Sequence, residues 1–174
     1  SHVLTGTETA GELAGELADL GAEAVVEVVN QIAAATAQPV PQDDSKATYT
    51  QLLQKSDGEI DWTESAVQIE REVRAYQPWP LAHTTFGGQR LNVLGASVVQ
   101  DDERSASNPR RSGSGGHSGA PGTVLRVDTS RGILVETGNG QLALTKLQLQ
   151  SRKALSWDSF LNGVHDFVGA VLGG

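Results

Sequence analysis

Between Thr9 and Thr36 the apolar residues Leu13, Leu17, Leu20, Val25, Val28, Val29 and Ile32 recur mainly at steps of three, four and five, the spacing of one helix face. Thr9 followed three residues later by Glu12 is a capping-box pattern that starts this helix. Gly21 is expected to divide the stretch into two helices, with Glu and Asp on the wet faces. The apolar stripe has to cover something, and the segment is too short to supply its own partner.

AQPVPQDDSKA follows, a linker by its prolines and paired acids. In TYTQLLQKSDGEIDW, Asp57-Gly58 marks a turn before Ile60 and Trp62. Helical spacing returns over 63–77 at Ala66, Ile69, Val73 and Tyr76. It ends near Gln77, because the residue before a proline resists the helical conformation.

Beyond Pro80 the period changes to two. LAHTTFGGQRLNVLGASVV alternates around Gly87-Gly88 and predicts a β-hairpin. SASNPRRSGSGGHSGAPG has the composition of a flexible loop, assigned to 101–119. GTVLRV, GILVET and QLALTKLQ predict three further strands separated by DTSRG and GNG turns. Five short strands with tight turns point to a small barrel, which removes unpaired edges. SWDSFLNG supplies a closing helix before an apolar tail. The class is therefore α+β: an N-terminal helical segment and connector, then a small open β-barrel with a closing helix.

Composition narrows the chemistry. The 174 residues contain no cysteine, which excludes disulfides, thiolate metal sites and thiol catalysis and fits a reducing cytosol. No apolar run has the length of a membrane helix, and SHVLTGTETAGEL lacks a signal-peptide layout. Methionine is absent even at position 1, so the chain is expected to be a segment of something longer. The net charge of −8 is uneven. Residues 1–70 hold thirteen acids against Lys46 and Lys55, whereas 71–174 hold eleven basic residues against eight acids. Only the back half is suited to facing phosphates.

The order of these pieces resembles the C-terminal part of the methionyl-tRNA formyltransferase family. The likeness rests on IDW (60–62); on Glu70, Arg71, Arg74, Ala75, Pro78, Trp79 and Pro80; on APGTVL (120–125); and on LQLQSRKALSWDSFLNG (147–163). TAGELAGELADLGAEAVV (9–26) looks like the closing helix of the family's formyl-donor domain. The resemblance implies three parts. Residues 1–40 would be the last helices of a truncated Rossmann-like domain, 41–62 a connector, and 63–174 a C-terminal barrel of OB-like topology. It implies, for the parent enzyme, formyl transfer from 10-formyltetrahydrofolate to methionyl-initiator tRNA in translation initiation in the cytoplasm. The family's catalytic Asn-His-Asp set and HxSLLP motif do not occur here, so no catalytic, cofactor-binding or metal-binding residue is assigned. The expected partner is initiator tRNA, with no membrane or metal, and the chain is expected to be monomeric. Two alternatives stay open: the C-terminal barrel of a sugar-nucleotide formyltransferase, or a free-standing OB-type oligonucleotide binder.

Arg152 and Lys153 are the leading tRNA-binding candidates: adjacent, with no acid before Asp158, and matching a Lys-Lys pair in the family. Lys146 and Arg126 lie on strands and join the same expectation. Lys55 falls on a connector lysine of the family, while a second connector lysine position holds Leu52. Arg71 carries a fork suited to phosphate. Arg74 is assigned to holding the elbow, through carbonyls or a pair with Asp61 or Glu70. Trp79, between Pro78 and Pro80, is read as a core plug of a rigid hinge; its rival role is stacking on a base. Arg110 and Arg111 fit an inert insertion better than a phosphate hook.

Overall fold

The computed structural model describes residues 2–99 and 119–173. The loop assigned to 101–119, with Arg110 and Arg111, therefore lies outside the described residues apart from Gly119.

Helix α1 runs Ala10–Ala33 without a break, so the division expected at Gly21 does not occur. A lone helical glycine costs roughly 1 kcal/mol against alanine, and the Ala, Leu and Glu residues around it are strong helix formers. The capping box is present: the Glu12 amide donates to the Thr9 hydroxyl, and Glu12 Oε2 accepts from the Thr9 amide at 2.8 Å. No residue of α1 is buried, and Leu17, Leu20, Val25, Val28, Val29 and Ile32 are all exposed. Its apolar stripe is uncovered in this chain.

Its start is nonetheless fixed to the rest of the molecule. The Gly11 amide donates to the Gln77 carbonyl at 2.9 Å, and a Cβ on Gly11 would crowd Pro78 Cδ at 3.1 Å. Single 3₁₀ turns at Asp44–Lys46 and Lys55–Gly58 lead through the connector to α2, Ala66–Ala75, capped by the Ser65 hydroxyl. Ala66, Ile69 and Val73 form its buried face.

Strands β1 (His83–Phe86), β2 (Gln89–Val99), β3 (Val124–Asp128), β4 (Gly132–Glu136) and β5 (Gln141–Leu149) form one curled antiparallel sheet, in the order β1-β2-β5-β4-β3. A short β6 (Leu155–Ser156) pairs with the C-terminal half of β5, and α3 (Trp157–Leu161) follows it. The β1–β2 turn needs two residues at positive φ, which Gly87 and Gly88 supply at 55° and 74°. The two outer edges meet through the C-terminal tail. Val124 donates to the Ala170 carbonyl and Leu172 to that of Gly122, while Gly173 donates to Thr85 of β1. The small open barrel is thus closed by a segment with no strand period in its sequence.

The interior is filled. Leu91, Val93, Leu142, Leu144 and Leu147 are fully buried against α2, and Phe167 meets Phe86 and Phe160 edge-on at 4.8 and 5.0 Å. Trp62 of the IDW motif is buried, its indole N–H donating to the Thr84 hydroxyl at 3.0 Å.

Candidate nucleic-acid interface

β5 carries the main candidates, and a register change decides where they point. Val93 pairs with Leu147, Gly95 with Lys146 and Ala96 with Leu144, so Leu94 and Thr145 are each an extra residue. Alternation would otherwise put Lys146 on the same side as the buried Leu142 and Leu144. The bulge at Thr145 turns Lys146 out to solvent and lets Leu147 re-enter the core. Beyond it, Lys146 pairs with Ser156 and Leu147 with Leu155, so β5 and β6 form a hairpin with Arg152 and Lys153 on its connecting loop. Ser151 turns that loop at φ 62°, the Arg152 amide donates to the Leu149 carbonyl at 3.0 Å, and both basic side chains are exposed. Three candidates thus share one hairpin.

The others lie elsewhere. Arg126 is exposed on β3, separated from β5 by β4. Its charge works beside Asp128, whose carboxyl is held below its ordinary value by the Ser130 hydroxyl first and only in small part by Arg126. Arg71 is exposed on α2, and Lys55 on the 3₁₀ turn that leads to the Glu59–His83 bridge beside β1.

Arg74 has the holding geometry that the sequence suggested. Its Nε and Nη2 donate to the two Glu70 carboxylate oxygens at 2.6 and 3.1 Å, and Nη1 donates to the Glu8 carbonyl at 3.0 Å. Glu70 is the main cause of its raised pKa. Glu70, rather than Asp61, is the partner; Asp61 instead caps Thr63. Arg74 therefore ties α2 to Glu8, the residue before the Thr9 cap of α1.

Trp79 requires a correction. It is 50% exposed and plugs no core. The Leu81 amide closes the elbow by donating to the Tyr76 carbonyl at 2.9 Å, and Pro80 takes the buried place. With Pro80 turned inward, its neighbour Trp79 faces solvent beside the exposed Pro78.

Sequence reasoning missed Arg90, a lone cation on β2. It stands half-buried at the end of the strand, and its carbonyl accepts from the Gln150 amide of the β5–β6 loop at 2.9 Å. The signal that was available is an absence of acids. Residues 81–99 and 141–157, which contain β1, β2, β5 and β6, hold Arg90, Lys146, Arg152 and Lys153 and not one Asp or Glu. In a chain of net charge −8 these strands carry a local excess of cations, bordered by Glu59 beside His83 and by Asp158 beside Ser156. Among the described residues no three His, Asp or Glu side chains group as metal ligands, and no helix is long and apolar enough to cross a membrane.

Known proteins resemble this chain in sequence and in fold. The chain is 39% identical over 172 residues to a methionyl-tRNA formyltransferase of Pseudoalteromonas translucida, covering 98% of this chain and 50% of that protein. It is 40% identical over 162 residues to one of Chloroflexus aurantiacus, covering 93% and 48%. The chain thus spans about half the length of the curated relatives it matches. Among solved structures, a HypX variant from Aquifex aeolicus superposes with a TM-score of 0.64 at 17% identity, over 95% of this chain and 27% of that one. HypX in complex with tetrahydrofolic acid gives 0.58 over 84% and 23%. Both likenesses concern the fold alone. Residues 52–165, which run from the connector through the barrel and α3, match the family described as formyl transferase, C-terminal domain, and the chain belongs to that family.

Proposed function

We propose that this chain is the C-terminal, tRNA-binding part of a methionyl-tRNA formyltransferase. The observation that carries the reading is the acid-free hairpin presenting Lys146, Arg152 and Lys153, in a chain whose relatives bear that name over 93–98% of its length. Residues 1–40 would belong to the end of the formyl-donor domain, 41–62 to the connector and 63–174 to the barrel. Arg74, Pro78, Trp79 and Pro80 would form the hinge between the last two and the donor domain. The protein would act in the cytoplasm, as a monomer, on methionyl-initiator tRNA.

The chain's own task in this reading is docking. Cationic side chains on a rigid hairpin hold the RNA backbone, which positions the aminoacyl end without reading sequence. Arg71 on α2 and Lys55 on the connector would extend the contact toward the acceptor end, and Arg126 would stay peripheral. The formyl donor, 10-formyltetrahydrofolate, is assigned to the half of the enzyme that this chain does not span. Among the described residues Leu91, Leu142, Leu144, Leu147 and Phe167 fill the interior of the barrel.

The test is equilibrium binding of the 174-residue chain to initiator and elongator tRNA at several salt concentrations. Each phosphate contact contributes about −0.7 to −0.9 to the log–log salt slope, so three contacts give about −2 to −3. Arg152→Ala with Lys153→Ala should weaken both tRNAs alike and reduce the slope by about 2. If that double variant binds as tightly as the parent at low salt, the reading fails.

A further inference from the structure

The basic loop is not simply appended to the barrel; a continuous polar relay ties it to the elbow. Arg90 Nη2 donates to the Pro80 carbonyl at 3.2 Å, and Arg90 Nε donates to Asn92 Oδ1 at 2.9 Å. Asn92 Nδ2 donates across the strand pair to Gln148 Oε1 at 3.1 Å, and Gln148 Nε2 donates to the Arg152 carbonyl at 2.9 Å. Each side chain's orientation is set by the one before it. The amide oxygen of Asn92 is engaged by a guanidinium, so its NH₂ group must face Gln148; Gln148 must then offer its NH₂ group to the loop.

The strand register explains why the relay runs on the outer face. Leu91 and Val93 point into the core, so Arg90 and Asn92 point out; Asn92 lies directly opposite Gln148. All three relay side chains are half-buried, which strengthens the bonds among them relative to bulk water, whereas the last bond, to the Arg152 carbonyl, is exposed. Arg90 uses Nε and one Nη2 hydrogen in these bonds, so Nη1 and the second Nη2 hydrogen remain for a ligand. Among the described residues none of Arg90, Lys146, Arg152 and Lys153 is ion-paired. A relay that fixes a loop backbone, begins at an arginine and runs through strands without an Asp or Glu of their own has the layout of an anion-binding ridge, with Asp158 beside Ser156 as the acid nearest to Lys146 on the hairpin.

We propose that Arg90 is a fourth phosphate-binding residue, and that the Asn92–Gln148 amide pair is a positioning device that holds the Arg152-Lys153 loop in line with it. The ligand is the sugar–phosphate backbone of an RNA strand lying along β2 and the β5–β6 hairpin. Planar guanidinium suits this role because the edge that does not bond Pro80 and Asn92 can still approach a phosphate. Specificity for a base is not expected from these groups.

The inference rests on the tRNA-binding reading, and the experiment separates the two. Binding of initiator tRNA by the 174-residue chain is measured against salt for the parent, Arg90→Ala, Arg90→Lys, Asn92→Ala and the Arg152→Ala/Lys153→Ala pair. Thermal unfolding of each variant serves as the folding control. Arg90→Ala should lose affinity by about tenfold at low salt and reduce the salt slope by about 1. Arg90→Lys should keep the slope, because the charge remains. Asn92→Ala leaves all four charges in place; it should weaken binding by about two- to fivefold with the slope unchanged, which marks positioning rather than contact. Should Arg90→Ala fail to fold, Arg90→Lys and Asn92→Ala still decide. If the loop pair weakens binding while Arg90→Ala leaves affinity and slope as in the parent, this inference is overturned and the tRNA reading stands. If the loop pair has no effect, the tRNA reading falls, and this inference with it.

Discussion

Replacing Arg74 by alanine tests the joint between α1 and the barrel. The guanidinium makes two bonds to Glu70 and one to the Glu8 carbonyl, and the paired side chains are 23% and 21% accessible. A fully exposed pair would be worth about 0–1 kcal/mol, and removing one partner of a fully buried pair would cost about 3–5. This pair lies between those limits, because water already reaches about a fifth of each side chain in the intact pair. Two charge-assisted bonds and one carbonyl bond, partly replaced by water, give a loss of about 2–3 kcal/mol. For a chain of this size that lowers the melting temperature by roughly 4–12 °C. The assay is urea and thermal unfolding, with amide exchange followed at residues 9–13. Exchange there should speed up, because α1 loses one of its two bonds to the elbow, leaving Gly11 to Gln77. Arg74→Lys keeps the charge but not the fork and should fall between. Pairing with Glu70→Ala should give less than the sum of the two single losses, since both remove one interaction. A loss under about 0.5 kcal/mol with unchanged exchange at 9–13 would refute the reasoning.

Three further outcomes are expected. Glu8 accepts from Thr5 and Gly6, with the Thr5 amide the largest cause, and its pKa is lowered from 4.5 to about 2. A depressed folded pKa means that the local fold is favoured above pH 4.5 and loses that support as pH falls through 2. The protection of the Thr5 and Gly6 amides, measured against their intrinsic exchange rates, should therefore fall across that window, and an ordinary Glu8 titration would contradict it. Residues 14–33 of α1, none of them buried, should exchange far faster than Leu142–Leu147, which local packing protects; equal protection would show that the stripe is covered in solution. The chain alone should transfer no formyl group from 10-formyltetrahydrofolate to methionyl-tRNA, because in the proposed reading the Asn-His-Asp set for proton transfer belongs to the half of the enzyme that this chain does not span. Turnover above a buffer control would overturn that.

What the sequence determined was local. The Thr9–Glu12 cap, the Gly87-Gly88 turn and the alternation of the strands are interactions among near neighbours, so residue order alone carries them. The same holds for Arg152-Lys153, whose lack of nearby acids is a property of the chain itself. Gly21 shows where that reasoning stops, since a glycine interrupts a helix only if its context lacks other strong formers. Tertiary structure decided the rest. Lys146 points outward because β2 and β5 slip past one another at Leu94 and Thr145, which neither strand announces alone. Trp79 is exposed because Pro80 fills the inward place of an elbow closed by Tyr76 and Leu81. Arg90 joins the loop only because pairing sets Asn92 opposite Gln148, residues 56 positions apart. Contacts at such separations leave no period or spacing in the sequence, since the cost of bringing them together is met by the whole core at once.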